Sequence, residues 1–282
     1  MAHMKLHQQS DMFVAPVMDP IARGHRIIDV AVRWHKPVKL YAMFSGGHDS
    51  LCAAHVASQH DQFAGCVHVN TGIGIEQTRE FVRDVCQDFG WPLLEYRALE
   101  DEGQSYRELV LEYGFPGPFH HRKMYNRLKE RCIRRMTREA KSQRSDRVMC
   151  VTGVRREESR RRMGTVQTIN REGARVWVAP LVDWTGQTKN EYMELHQLPR
   201  NEVVDLLHMS GECLCGAFAH PGELGEIEAW FPETAAKIRA LEKEVAANGR
   251  PCKWGEAPRE EPFIDPDQPS LPLCVACENR DG

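Results

Sequence analysis

Seven consecutive residues, Phe44-Ser45-Gly46-Gly47-His48-Asp49-Ser50, combine the types needed to hold an anion. They stand between an apolar stretch, Val38 to Phe44, and a stretch predicted to be helical from Asp49 to about Gln59. Two adjacent glycines let the backbone turn tightly and approach a ligand closely. The hydroxyls of Ser45 and Ser50 and the free N–H groups of the helix start would then face one point. That combination suits phosphate. The plainer alternative is a strand-to-helix turn built from Gly and Ser. The segment lacks the lysine and the four-residue spacing of the nucleoside-triphosphatase phosphate loop, which argues against kinase-like chemistry.

A second grouping is made of cysteines. The chain has ten, and five of them, Cys213, Cys215, Cys252, Cys274 and Cys277, fall in its last quarter. Cys213-Leu-Cys215 and Cys274-Val-Ala-Cys277 are two close pairs that folding could bring around one centre, as four thiolates for tetrahedral zinc or an iron–sulfur cluster. Cys252 is a spare that could replace one of the four. His208 and His220 stand nearby and read as ordinary surface or core histidines. The other five, Cys52, Cys66, Cys86, Cys132 and Cys150, sit singly among apolar neighbours and read as small buried hydrophobes. In a reducing compartment the late cysteines suit metal better than disulfides.

Charge is distributed unevenly. Arg122 to Arg162 holds 16 Lys or Arg against 5 Asp or Glu, while acids outnumber bases from Pro221 onward. The middle of the chain should attract polyanions. Within it, Phe119 to Lys129 interleaves Phe119 and Tyr125 with cations, a pattern that fits contact with a nucleic-acid backbone as well as with a nucleotide's own phosphates. The formal charge of -3 makes any such contact local.

The elements that must position these groups follow from periodicity. Strands are expected at Val38–Phe44, Gly65–Val69, Leu93–Tyr96, Arg147–Val151 and Val176–Ala179. Helices are expected at Ile27–His35, Asp49–Gln59, Glu76–Phe89, Met124–Ala140, Lys189–Gln197, Glu202–His208 and Pro232–Ala247. Such alternation implies an α/β fold, a mostly parallel twisted sheet with helices on both faces. Ligands in such sheets sit at the carboxyl ends of the strands. With 282 residues, 41% hydrophobic and 27% charged, the chain can bury a sizeable core, and disordered or fibrous classes are excluded. Residues 1–20 read as a cloning scar (Met1 to Met4) and an arm, 21–200 as the nucleotide-binding domain, and 201–282 as a helical, loop-rich, Cys-containing subdomain. No run of about 18 apolar residues and no signal-peptide pattern is visible, so a cytoplasmic protein without membrane contact is expected.

Ser45 to Ser50 resembles the pyrophosphate-binding loop of the adenine nucleotide alpha-hydrolase (PP-loop) superfamily, whose fold is Rossmann-like. Val69-Asn70-Thr71-Gly72, followed by Thr78, is similar to the family's second strand and threonine-glycine turn. Thr152-Gly153-Val154-Arg155-Arg156-Glu157-Glu158-Ser159-Arg160 resembles its glycine-arginine-glutamate-serine segment, and Ala179 to Trp184 its proline and tryptophan stretch. The match runs in order from about Lys36 to Cys215. It is nearest to the branch of phosphoadenylyl-sulfate reductases and the ATP pyrophosphatases of DNA phosphorothioation systems, the Dnd and Ssp types.

The resemblance implies roles. Ser45, Gly46, Gly47, His48, Asp49 and Ser50 would hold the phosphates of ATP, and backbone near Phe44 and from Val69 through Asn70, Thr71 and Gly72 would frame the nucleotide. Gly153 and Arg155 would close on it, with Arg160 to Arg162 near the leaving group or a second substrate. Ser45, Asp49, Ser50, Arg155 and Arg160 are thereby the implied catalytic set. Asn70 stands where an Asp is common, which weakens a Mg²⁺ role there, although Mg²⁺ is still expected on the ATP phosphates. Branches with paired cysteines carry a [4Fe–4S] cluster, which favours that cofactor over zinc on Cys213, Cys215, Cys274 and Cys277. The implied activity is an AMP-forming ATP pyrophosphatase that adenylates an acceptor for sulfur transfer. Its expected partners are a cysteine desulfurase as sulfur donor and DNA or a DNA-binding complex. One alternative is reduction of adenylyl sulfate or its 3′-phosphate form to sulfite. Thiol-using reductases of that kind carry a terminal Glu-Cys-Gly segment, whereas here Cys277 belongs to a pair and is followed by Glu-Asn-Arg-Asp-Gly. A non-catalytic nucleotide-binding zinc protein is the other alternative.

Overall fold

The computed structural model describes residues 19–98, 105–157, 166–249 and 252–256. Met1 to Met4, Arg160 to Arg162, Cys274 and Cys277 lie outside the described residues. The chain runs α1 (Pro20–His35), β1 (Lys39–Met43), α2 (His48–Ser58), β2 (Phe63–Asn70), α3 (Glu76–Asp88), β3 (Leu93–Arg97) and α4 (Tyr106–Tyr113). Next come α5 (His121–Tyr125), α6 (Arg131–Glu139), β4 (Val148–Val151), β5 (Ile169–Glu172), β6 (Arg175–Val178), α7 (Gly186–Leu195), α8 (Glu202–Leu207), α9 (Glu223–Trp230) and α10 (Pro232–Ala247). The described strands form a six-stranded sheet in the order β3-β2-β1-β4-β6-β5, parallel except for the antiparallel β5–β6 pair.

The expected α/β layering is present, and alternation along β1 shows how it is built. Leu40, Ala42 and Phe44 pack on one face with α1, α2, α3 and α7, while Tyr41 and Met43 pack on the other. That second face is covered by α4 to α6 and, through Ile227, Ala235, Ile238 and Leu241, by α9 and α10. Because both faces are buried, the central strands read as nearly continuous apolar runs. The five scattered cysteines are all buried, as small hydrophobes should be.

Three features differ from the periodicity reading. The edge strand β5 and the helices α4 and α9 are additional elements. Ser105 and Glu108 form a reciprocal capping box that starts α4, a short-range signal that stands in the sequence. The basic helix expected as one piece from Met124 to Ala140 is broken by a π-helical turn at Asn126–Glu130. Its face also differs from the reading. Tyr125, His121 and Lys129 are buried, and of the two aromatics invoked for a nucleic-acid contact only Phe119 is exposed.

Candidate functional site

The loop after β1 enters α2 with Gly46 at φ +83°, and a Cβ there would lie 2.5 Å from the Thr78 methyl. Only glycine meets both conditions. Ser45 and Ser50 are locked together: the Ser45 N–H donates to Ser50 Oγ at 3.3 Å, the two hydroxyls lie 3.2 Å apart, and Ser50 Oγ donates to the Gly47 carbonyl at 2.8 Å. α2 starts at His48 without a side-chain cap. The first N–H groups of a helix have no intrahelical partner, so this start presents donors and the positive end of the helix dipole to the loop mouth. Ser45, Gly47 and Asp49 are partly open there.

β4 delivers the opposite wall. Gly153 crosses so close to α2 that a Cβ would sit 2.5 Å from the Asp49 backbone. Two residues on, the buried Arg155 guanidinium spans Asp49 and Glu157, with Nε to Asp49 Oδ1 at 2.7 Å and Nη1 to Glu157 Oε2 at 3.1 Å. Glu157 in turn accepts the Gly186 N–H that begins α7, and Arg156 pairs with Asp183. The Gly-Arg-Arg-Glu run therefore fastens the β4 end to α2 and α7. Glu158 and Ser159, and Arg160 to Arg162, implied to stand near the leaving group or a second substrate, lie outside the described residues.

His48 turns away from the mouth. Its Nε2 accepts the Asn201 N–H at 3.1 Å, and Asn201 Nδ2 donates to the Gly46 carbonyl at 2.8 Å. Burial, reinforced by Arg200, pushes the His48 pKa down to about 4, so the ring is neutral. Only its backbone remains for a ligand at the loop. Asn70 is likewise engaged, donating to Glu95 at 3.1 Å and accepting the Gly72 N–H at 3.0 Å.

Beneath the loop lies a charge network that the sequence did not announce. His68 Nδ1–H donates to the Phe44 carbonyl at 2.8 Å, and its Nε2 lies 3.2 Å from Glu212 Oε2. Arg79 Nε approaches the same carboxylate oxygen at 3.4 Å. Glu212 Oε1 accepts the Thr71 N–H at 2.9 Å, and the Thr71 hydroxyl donates to the Glu212 carbonyl at 2.7 Å. Burial opposes charge on His68, but Glu212 and the Phe44 carbonyl outweigh it and hold its pKa above the ordinary value. Thr78 Oγ1 donating to the Ser210 carbonyl at 2.5 Å completes the seam. Thr71 and Thr78 thus bind protein, and they fix the segment that ends in Cys213. A Glu directly before a Cys pair carries no periodic signal, whereas Asn201 ahead of α8 was findable as an N-cap, its Oδ1 accepting the Val203 N–H at 3.0 Å.

The cysteine corner is adjacent. Tyr106 Oη donates to the Cys215 carbonyl at 3.0 Å, and the Phe115 N–H donates to Cys252 Sγ at 3.3 Å. Trp254 Nε1 donates to the Leu214 carbonyl at 2.8 Å, tying the Cys252 segment to the Cys213–Cys215 turn. Burial first, then the charges of Cys215, Cys213 and Cys252, push the Tyr106 pKa well up. Their donor chemistry fits a thiophilic centre. Among the described residues no three His, Cys, Asp or Glu are arranged to hold a metal, and the paired Cys274 and Cys277 lie outside them. No described helix is long and apolar enough to cross a membrane.

The chain is similar to several known proteins. An uncharacterized protein of Methanocaldococcus jannaschii is 26% identical over 220 residues, 75% of this chain and 42% of that protein. An adenosine 5'-phosphosulfate reductase of Shouchella clausii is 36% identical over 83 residues, 28% of this chain and 34% of that enzyme. The chain thus spans less than half the length of these curated relatives. The crystal structure of a phosphoadenylyl-sulfate reductase from Candida auris, a phosphate complex, aligns at TM-score 0.49 and 19% identity, over 65% of this chain and 84% of that one. The family model for the phosphoadenosine phosphosulfate reductase domain matches residues 39–210, from the first strand through the loop and both walls of the site. This chain belongs to the phosphoadenosine phosphosulfate reductase domain family.

Proposed function

We propose that the chain is an ATP pyrophosphatase that adenylates an acceptor for sulfur transfer, with DNA phosphorothioate modification of the Dnd or Ssp type as the working case. The observation that carries this reading is the paired Ser45 and Ser50 hydroxyls at an uncapped helix start, closed by Gly153 and Arg155. The β- and γ-phosphates of ATP would lie on the Ser45–Ser50 loop, with Mg²⁺ carried on the phosphates. An acceptor oxygen, a DNA backbone phosphate oxygen in the working case, would attack the α-phosphorus. Pyrophosphate leaves, and the acceptor oxygen, now bonded to AMP, becomes a leaving group that a sulfur nucleophile replaces. Such chemistry asks for positioning and charge neutralisation and requires no general base. Arg155, held on Asp49, would neutralise charge building on the departing group. The unplaced Arg160 would extend that role.

Cys213, Cys215, Cys274 and Cys277 would hold a [4Fe–4S] cluster, with zinc as the alternative occupant and Cys252 as a further thiol. A bound cluster would supply a site for handling sulfur delivered by a cysteine desulfurase. Iron and labile sulfide in anaerobically purified protein support this assignment, and stoichiometric zinc overturns it. The 36% match to an adenosine 5'-phosphosulfate reductase favours a second reading, reduction of an adenylyl sulfate to sulfite.

The test is product analysis of anaerobic protein with ATP and Mg²⁺, with and without DNA. Pyrophosphate and AMP are expected, and Ser50→Ala should abolish them. Full activity in that variant removes the loop from the mechanism. Sulfite from adenylyl sulfate, with no ATP turnover, replaces the first reading with the second.

A further inference from the structure

The opposite end of the sheet carries a second charged surface that the nucleotide chemistry does not use. A cleft of about 570 Å³ opens where the amino ends of β4 and β6 meet the end of α6, and Arg134, Arg138, Lys141, Arg144, Glu172 and Arg175 contribute to its lining. Arg134 and Arg138 stand four residues apart on one face of α6, and Lys141 follows just past its end. The acids nearby are already engaged. Glu172 accepts from Trp177 Nε1 at 2.9 Å and pairs with Arg175 at 3.0 Å. Asp146 Oδ2 accepts the Ser142 and Gln143 N–H groups at 2.9 and 2.8 Å. Arg138 and Arg144 stand exposed, so the cleft presents net positive charge to solvent.

The positive surface continues beyond the cleft. Arg147 Nη1 reaches the His35 carbonyl at 3.5 Å, and Arg171, at the cleft rim, donates to the Gly173 carbonyl at 3.2 Å. Burial and then the charges of Arg147 and Arg171 depress the pKa of His35, the last residue of α1. There Lys36 and Lys39 are exposed, and Trp34 and Val38 are exposed to 71% and 46%. A large aromatic exposed amid cations has the composition of surfaces that stack bases and track phosphates.

We infer that this amino-end surface, from Arg134 through Arg138, Lys141 and Arg144 to Arg171 and Trp34, binds a polynucleotide by its backbone, with an unpaired base on Trp34. A small anion would need only the cleft, whereas the continuation to α1 suits a polymer. The strands put this surface roughly 15 Å from the Ser45–Ser50 loop. It therefore contributes affinity and not chemistry, and it stands whatever acceptor the loop serves.

Fluorescence anisotropy of labelled 20-mers, single-stranded and duplex, tests the inference on the full chain across salt concentrations. Affinity should fall steeply with salt, the logarithmic slope changing by about 0.9 for each phosphate contact on duplex. Arg138→Glu with Lys141→Glu should weaken both probes about tenfold or more and flatten that slope. Trp34→Ala should weaken the single strand about fivefold or more and leave the duplex unchanged. Thermal midpoints and basal ATP turnover without nucleic acid should stay at wild-type values in all these variants. Absent binding by the wild type, or undiminished binding by the charge-reversal variant, overturns the inference. Lost basal turnover with intact binding overturns the proposed function's site separation as well, so the two failures are distinguishable.

Discussion

The two ends of the sheet use arginine in opposite ways. At the carboxyl end Arg79 and Arg155 are buried and held on carboxylates, Glu212 and Asp49 respectively. At the amino end Arg134, Arg138, Arg144 and Arg171 stand exposed. Arg175 is buried there on Glu130 with bonds of 2.7 and 2.8 Å, and the exposed Arg134 donates to the same carboxylate at 2.8 Å. An arginine fixed by a carboxylate in low dielectric is a structural and electrostatic fixture. An exposed arginine contributes little stability and stays available to a polyanion. Positive charge thus serves a rigid site at one end and an open surface at the other.

The comparison predicts a graded set of costs. Glu212→Ala should cost most, about 3–5 kcal/mol, because it leaves His68 buried without its counter-ion and leaves Arg79 with Glu76 alone. Chemical denaturation reads this as a lower midpoint, and a loss under 1 kcal/mol would mean that the network is dispensable. Acid comes next. His48 is held near pKa 4 in the fold against 6.5 unfolded, so below pH 6.5 the unfolded chain binds the extra proton. Stability should therefore fall as pH drops from 6.5 toward 4, by up to about 3 kcal/mol from this group. The pH–stability curve of His48→Asn should be flatter over that window.

Gly153→Ala pushes a methyl into the Asp49 backbone and should cost about 1–3 kcal/mol. It should also reduce ATP turnover, since it displaces the helix start. A stable, fully active variant would mean that the β4 wall does not shape the loop. The smallest effect belongs to the amino end: Arg138→Glu with Lys141→Glu should move stability by about 0.5 kcal/mol or less. A loss comparable to that of Glu212→Ala would erase the contrast between the two ends.

Much of the carboxyl-end site was legible because its signals are local. Ser45 to Ser50 stands at a strand-to-helix junction, and the residues that bend, cap and donate are neighbours in sequence. The Gly153–Arg155 wall was legible by resemblance, and its contact with Asp49 follows from β1 and β4 being adjacent. The His68–Glu212–Arg79 network was not legible. It joins positions up to 144 residues apart that share no period, and each alone reads as an ordinary surface charge. His48 shows the converse case, a residue inside the motif whose ring is directed by Asn201 rather than by the loop.

The sequence by itself determined the alternating elements, the sheet buried on both faces, the phosphate-type loop and the basic middle of the chain. These depend on near-neighbour sterics and hydrophobic period, which a linear reading samples directly. Only the tertiary structure decided which charges pair, which arginines face water, and that the Cys213–Cys215 segment is fastened beneath the Ser45–Ser50 loop through Glu212. Those outcomes depend on burial and on approaches of 3 Å or so between distant residues, where desolvation makes pairing obligatory. No local pattern carries that information.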